Sequence, residues 1–376
     1  MRRNIPCMII RGGTSKGIYL LEKDLPSSGD ERDALLLKIM GSPDLRQIDG
    51  LGGATSVTSK IAILAPSSRP GVDVDYTFAQ VSIDKPMISY AGNCGNISAG
   101  VGPFAIESGL KKAGTPITTV RMFNTNTNKL MLENVQTPDG KVTYEGDYVI
   151  PGVPGSAAPI KIMMMDPAGT VCNALLPTGN PIDTLNVPGF GELPVSLVDA
   201  ANPLVFVRAH DVGMSGTESP QEIDCNAELT DLLERIRGEA ARQLGFVEEA
   251  AEAAWKSPGV PKLTIVSPSK SYQTTQGQEI NADEIDLLGR MMSMQKAHPT
   301  YAMTGAMCTA AAAVIPGTIV FQVKRDDAAA DRFRIAHPGG ILEAGVDYVQ
   351  SGKNIEVTCA YGFRTARLLM RGTAYL

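Results

Sequence analysis

The chain has 376 residues, with 34 Lys and Arg against 40 Asp and Glu and a formal net charge of −6 at pH 7. Hydrophobic residues at 43% supply apolar material for two cores, which excludes a disordered chain. The acidic balance, aromatics at 5% and a single Trp exclude nucleic-acid binding through a basic face or a base-stacking platform.

In chain order, the apolar run at 5–10 reads as a strand and is too short for a signal peptide. It leads into Arg11-Gly-Gly-Thr-Ser-Lys-Gly17, either a hairpin turn or a loop offering N–H groups, hydroxyls and a cation to a carboxylate. Residues 30–40 open with acids and place Leu35, Leu36, Ile39 and Met40 at helical spacing. Strands are expected at 59–67 and, from period-two alternation, at 73–83. A small-residue helix is expected from about Asn96, one helix over 220–244, and another over 283–297 on the spacing of Ile285, Leu288 and Met292. The uncharged stretch 301–323 is broken by Pro316-Gly317 and reads as a buried helix followed by a strand, not a membrane span.

Three echoes recur in order. Residues 59–67 match 261–269 at an offset of 202, the run at 5–10 matches 202–207, and 92–100 matches 304–312. An ordered set of this kind predicts a duplicated, strand-rich unit with one central helix per copy. The expected domains are 1–188 and 189–376, joined near 186–193, where Gly and Pro cluster.

Six cysteines, at 7, 94, 172, 225, 308 and 359, form no C-x-x-C pair, and the three histidines are scattered. No metal is therefore expected, in a reduced, cytoplasmic protein with neither a nucleic-acid nor a membrane partner. A homodimer is compatible with this chain size.

Cys94 lies in Gly92-Asn-Cys-Gly-Asn-Ile97, just before the small-residue helix. There the dipole and the free N–H groups favour a thiolate and can hold a carboxylate; the alternative is a buried structural cysteine. Lys60 stands at the edge of an apolar strand, where its amine is either solvated or turned inward as a proton acceptor. The G-x-S-x-G match at 13–17 lacks the following helix of a nucleophile elbow. The G-x-G-x-x-A match at 100–105 lacks a βαβ unit, so helix-packing glycines explain it better. In the second half Ala306 occupies the position matching Cys94, and Cys308 falls two residues further on. This arrangement disfavours a two-thiol racemase.

Together, residues 11–17, 41–50, Thr58-Ser-Lys60, Asp73-Val-Asp-Tyr76, 92–97 and Thr304-Gly-Ala306 resemble the PrpF family across essentially the whole chain. The family includes 2-methylaconitate cis-trans isomerase, 3-methylitaconate Δ-isomerase and 4-oxalomesaconate tautomerase. The resemblance implies a diaminopimelate-epimerase-like α+β fold of two pseudo-symmetric lobes, each wrapping mainly antiparallel strands around a central helix, with the site in the cleft. It also implies a cofactor-independent 1,3-allylic proton shift in a small unsaturated di- or tricarboxylate, with Lys60 and Cys94 as the acid/base pair. The expected substrate-binding residues are Thr14, Ser15, Lys16, Gln47, Asn93, Gly95, Asn96, His298, Thr304 and Gly305. The 41–53 stretch resembles the oxalomesaconate members and the Cys94 turn the methylitaconate and methylaconitate members; a Δ-isomerase is favoured over a net cis-trans reaction. The competing readings are an amino-acid epimerase, which needs Cys308 as a second reactive thiol, and a carboxylate-binding protein without turnover.

Overall fold

The computed structural model describes residues 4–90, 94–352 and 354–376. The chain forms two compact units, one of Met1–Met165 with Phe363–Leu376 and one of Asp166–Gly362.

The first unit begins with β1 (Asn4–Gly12), folded back onto β2 (Ser15–Leu21). Helix α1 (Asp30–Met40) carries its acids in the first turn, where the helix dipole favours them, and ends at Gly41 in the left-handed region. Its apolar face (Leu35, Leu36, Ile39, Met40) packs on Ile18, Leu20, Ile61 and Ile63. This crossover brings β3 (Lys60–Pro66) in parallel to β2, and β4 (Val74–Val81) returns antiparallel to β3. The short β5 (Ile88–Ser89) pairs with the end of β4. Then come α2 (Gly95–Ser98) and α3 (Val101–Glu107), and β6 (Ile117–Asn124) parallel to β4. An antiparallel meander through β7 (Lys129–Gln136) to β8 (Pro159–Met165) follows. The helical turns α2 and α3 pack on β1, β2, β3, β6 and β7, and so form the centre of this unit.

The second unit opens with β9 (Asp183–Val187) and β10 (Gly191–Ala200), a hairpin, and β11 (Asn202–Arg208), antiparallel to β10. Helices α4 (Pro220–Cys225), α5 (Ala227–Gln243) and α6 (Ala253–Lys256) cross to β12 (Lys262–Ser267), parallel to β11. After the small hairpin of β13 (Tyr272–Gln273) and β14 (Glu279–Ile280), β15 (Leu287–Ser293) runs antiparallel to β12 and pairs with β16 (Lys296–Ala297). Helices α7 (Met303–Val314) and α8 (Ile319–Val323) lead to β17 (Phe333–His337), parallel to β15. The antiparallel β18 (Gly340–Ser351) and β19 (Asn354–Tyr375) close the series. The later residues of β19 pair with β1, which is why Phe363–Leu376 belong to the first unit.

Several expectations change here. The units do not divide at 188/189: residues 186–193 are the β9–β10 hairpin, whose turn residues end a ladder and do not link domains. Residues 202–207 stand where β2 stands, parallel to the next strand, so the strand in β1's place is β10. The expected helix over 283–297 is a strand instead. Every residue from Leu287 to Met292 is buried, so no alternation marks it. Residues 220–244 make two helices because Asn226 leaves helical geometry and caps the second, accepting from Leu229 N–H at 3.1 Å. The strand expected after Pro316-Gly317 is α8, because Thr318 caps it by accepting from Phe321 N–H at 3.1 Å. Among the described residues no helix is long and apolar enough to cross a membrane.

Candidate active site

In the first unit a hairpin turn touches the helical turn that follows Cys94. β1 and β2 pair up to Gly12 and Ser15, leaving Gly13 and Thr14 as a two-residue loop with Gly13 at φ 51°. Such a loop needs a positive φ at its first residue, which glycine adopts without cost. Gly12 answers a different demand: a Cβ there would stand 2.2 Å from the backbone oxygen of Asn96. The loop lies against the Cys94 turn, and Asn96 Nδ2 donates to Thr14 Oγ1 at 2.9 Å. Ser15 is buried, and the Lys16 N–H is spent on Val57 O at 2.9 Å. The motif is therefore a hairpin turn held against the turn that carries Cys94.

Cys94 caps α2 through its backbone oxygen, which accepts from Ser98 N–H at 2.8 Å and from Ser98 Oγ at 3.1 Å. The helix expected to begin here is a four-residue turn, interrupted at Ala99 and Gly100 before α3. The turn therefore offers the N–H groups of its first residues, Gly95 and Asn96, and not a long helix dipole. The interruption has a cause: Tyr19 OH donates to Ile97 O at 2.5 Å, and a Cβ on Gly100 would lie 2.3 Å from that hydroxyl. One turn further on, Gly102 N–H donates to Glu133 Oε2 at 2.6 Å. The glycines of the G-x-G-x-x-A match are thus packing glycines. Asn93, one of the expected binding residues, lies outside the described residues.

Lys60 is the first residue of β3, the strand on which α2 packs. Its Nζ donates to Gln80 Oε1, the cross-strand partner, at 2.6 Å and stands 5.2 Å from the centre of the Phe78 ring. Gln80 is itself fixed by donating to Ser59 O at 3.0 Å and Ser56 O at 3.1 Å. The amine is thus turned inward onto a neutral acceptor. Gln47 is 2% exposed and its amide is occupied within the chain. It donates to Ser42 Oγ and accepts from Ala54 N–H and Ser59 Oγ, tying the glycine loop to the residue before Lys60.

Glu133 is fully buried beneath α3, and burial pushes its carboxyl pKa well above the ordinary range, with only the Gly102 N–H acting against it. The folded chain keeps a proton that the unfolded chain releases above about pH 4.5. Stability from this group is therefore full below that pH and declines as pH rises toward the folded pKa. Glu133→Gln copies the protonated form, so its melting temperature should increasingly exceed the wild-type value as pH rises above about 5. Parallel melting curves across that range would remove Glu133 as the source of the slope. Asp199 in the second unit is raised in the same direction, chiefly by burial, so the variant retains part of the slope.

Three expected binding residues belong to the second unit. His298 Nδ1 accepts from Thr300 N–H at 3.1 Å. Thr304 and Gly305 lie in the first turn of α7, which starts at Met303. Cys308 is 0% exposed inside that helix, with Sγ 3.4 Å from Val198 O, and burial pushes its thiol pKa far up. A buried, protonated thiol is a poor second base. Cys308→Ala should leave kcat within about two-fold of wild type, whereas removing a catalytic acid or base costs at least about 10²-fold. A loss on that scale would restore the epimerase reading. Among the described residues no group of three His, Cys, Asp or Glu side chains is placed to hold a metal ion.

Sequence reasoning missed Gln80, Tyr19 and Arg364. Arg364, on β19, donates from Nε to Asn96 Oδ1 at 3.2 Å. All three reach the site through strand pairing and carry no local motif.

Comparison with solved structures shows a proline-racemase-like fold. A probable proline racemase from Agrobacterium radiobacter K84 superposes with a TM-score of 0.53 at 12% identity, covering 99% of this chain and 92% of that one. A hydroxyproline epimerase from Agrobacterium vitis gives 0.55 at 11%, covering 100% and 94%. The family model for PrpF protein matches residues 2–376, and the chain belongs to the PrpF family of isomerases. A methylitaconate Δ-isomerase structure superposes with a TM-score of 0.90 at 47% identity, covering 100% of this chain and 96% of that one. The 3-methylitaconate isomerase of Eubacterium barkeri is 49% identical over 373 residues, covering 99% of this chain and 97% of its own. The (4E)-oxalomesaconate Δ-isomerase of Novosphingobium sp. strain KA1 is 42% identical over 372 residues, with coverages of 99% and 97%. The 2-methyl-aconitate isomerase of Shewanella oneidensis is 40% identical over 376 residues, with coverages of 96% and 94%.

Proposed function

We propose that this isomerase moves a C=C bond within a small unsaturated di- or tricarboxylate of the 3-methylitaconate type, by a 1,3-allylic proton shift without a cofactor. Lys60 and Cys94 carry the proton. One group removes it from the carbon next to the double bond, and a proton is returned at the far end of the allylic system. The observation that carries the reading is the packing of the Cys94 turn against β3, whose first residue turns its amine inward onto an uncharged acceptor. The 49% identity to a 3-methylitaconate isomerase, against 42% and 40% to the other two relatives, favours that substrate type.

The negative charge that develops spreads onto a carboxylate, which fixed donors must meet. The N–H groups of Gly95 and Asn96 with the Thr14 hydroxyl supply donors in the first unit; Ser15 and Lys16 shape the hairpin beneath them. The equal succession of parallel and antiparallel pairings in the two units supports a duplicated α+β lobe built around a central helix.

Proton NMR in D₂O tests the reading, with 3-methylitaconate, cis- and trans-aconitate, 2-methylaconitate and 4-oxalomesaconate incubated separately with the protein. Deuterium at an allylic carbon of 3-methylitaconate is expected. Saturable binding without exchange for all five would replace the isomerase with a carboxylate-binding protein.

A further inference from the structure

A guanidinium withdrawn from water calls for an anion. Arg364 lies in the first unit and is 6% exposed. Burial brings its pKa down to about 10, with Tyr148 and Cys94 acting in the opposite direction, so it remains charged at neutral pH. Its Nε donates to Asn96 Oδ1 at 3.2 Å and its Nη1 to the backbone oxygen of Phe363 at 2.9 Å. Both acceptors are neutral, and among the described residues Nη2 meets no acceptor and no carboxylate pairs with the group. Other buried arginines differ: Arg32 pairs with Glu22 at 3.1 Å, Arg237 with Glu234, and Arg290 has Glu218 and Glu222 nearby.

The surroundings hold this cation in place at the Cys94 turn. Asn96 is clamped from its other end by Thr14, so its oxygen is presented to Arg364 in a fixed direction. Gly13 leaves room beside the side chain, since a Cβ there would stand 3.1 Å from Arg364 Cδ and 2.2 Å from Asn96 Oδ1. We infer that Arg364 is a substrate-binding residue, its uncommitted Nη2 taking one carboxylate of the unsaturated polycarboxylate and so placing the allylic carbon beside Cys94. This inference rests on the isomerase reading, and it names the group that recognises the substrate's charge.

The test uses 3-methylitaconate and its two monomethyl esters with the wild type, Arg364→Lys and Arg364→Gln, read by deuterium incorporation. Arg364→Gln should raise KM for the diacid roughly 100-fold, with a smaller change in kcat. It should also abolish the wild-type preference for the diacid over one of the two esters, and Arg364→Lys should keep part of that preference. A purely structural role lowers stability and rate but leaves the acid-to-ester ratio unchanged, and an unchanged ratio in Arg364→Lys overturns the assignment even where Arg364→Gln does not fold. Calorimetry of diacid binding in a Cys94→Ala background separates this result from the isomerase reading. Binding that weakens on adding Arg364→Lys keeps the anchor whether or not the wild type exchanges deuterium. Binding indifferent to Arg364 removes it.

Discussion

Lys60→Ala and Cys94→Ala should each lower kcat/KM for allylic proton exchange by about 10³-fold or more, with melting temperature and circular dichroism near wild type. Both side chains can be removed at little structural cost. Lys60 Nζ has Gln80 Oε1 as its hydrogen-bond partner, and Gln80 stays fixed through Ser56 and Ser59. Cys94 caps its turn through the backbone oxygen, which alanine retains. If both groups serve one proton transfer, the double variant should be no slower than the worse single variant, because the second loss removes nothing further. Cys94→Ser keeps a weaker acid in place and should fall between wild type and Cys94→Ala. Turnover at the wild-type level in both alanine variants would sink the assignment.

Gly12→Ala should cost about 100-fold in kcat/KM, because a shift near 1 Å in catalytic geometry carries a loss of that order. The added Cβ would meet the backbone oxygen of Asn96 at 2.2 Å, and a main-chain atom cannot swing aside as a long side chain does. The Cys94 turn must then move away from the hairpin, loosening the Asn96–Thr14 bond. Gly259→Ala is the matched control, since a Cβ there meets nothing within 4 Å. Equal activity of the two variants would show that contact with the hairpin does not position Cys94.

Much of the first unit was readable in the sequence because local rules govern it. The acids at the start of α1 and the left-handed Gly41 at its end mark the helix at both limits. The alternation over 73–83 marks β4, and glycine and asparagine around Cys94 mark a turn and not a core. The echo of residues 5–10 fell on β11, one strand later than the β10 that pairs with it, because short apolar strands resemble one another. The 283–297 stretch failed for a related reason: a strand buried on both faces loses its period of two, and chance spacing of Ile285, Leu288 and Met292 imitates a helix.

The sequence by itself determined the family and most local elements of the first unit, since these depend on motifs and on neighbours a few residues apart. The tertiary structure decided what those residues touch. Lys60 meets Gln80 from 20 positions away, Tyr19 meets Ile97 from 78, and Arg364 meets Asn96 from 268. It decided as well that Cys308 is sealed in a helix and that Gln47 spends its amide on its own loop. Such contacts are set by strand register and by which helix face is buried, and both arise only when distant segments pack to remove apolar surface from water.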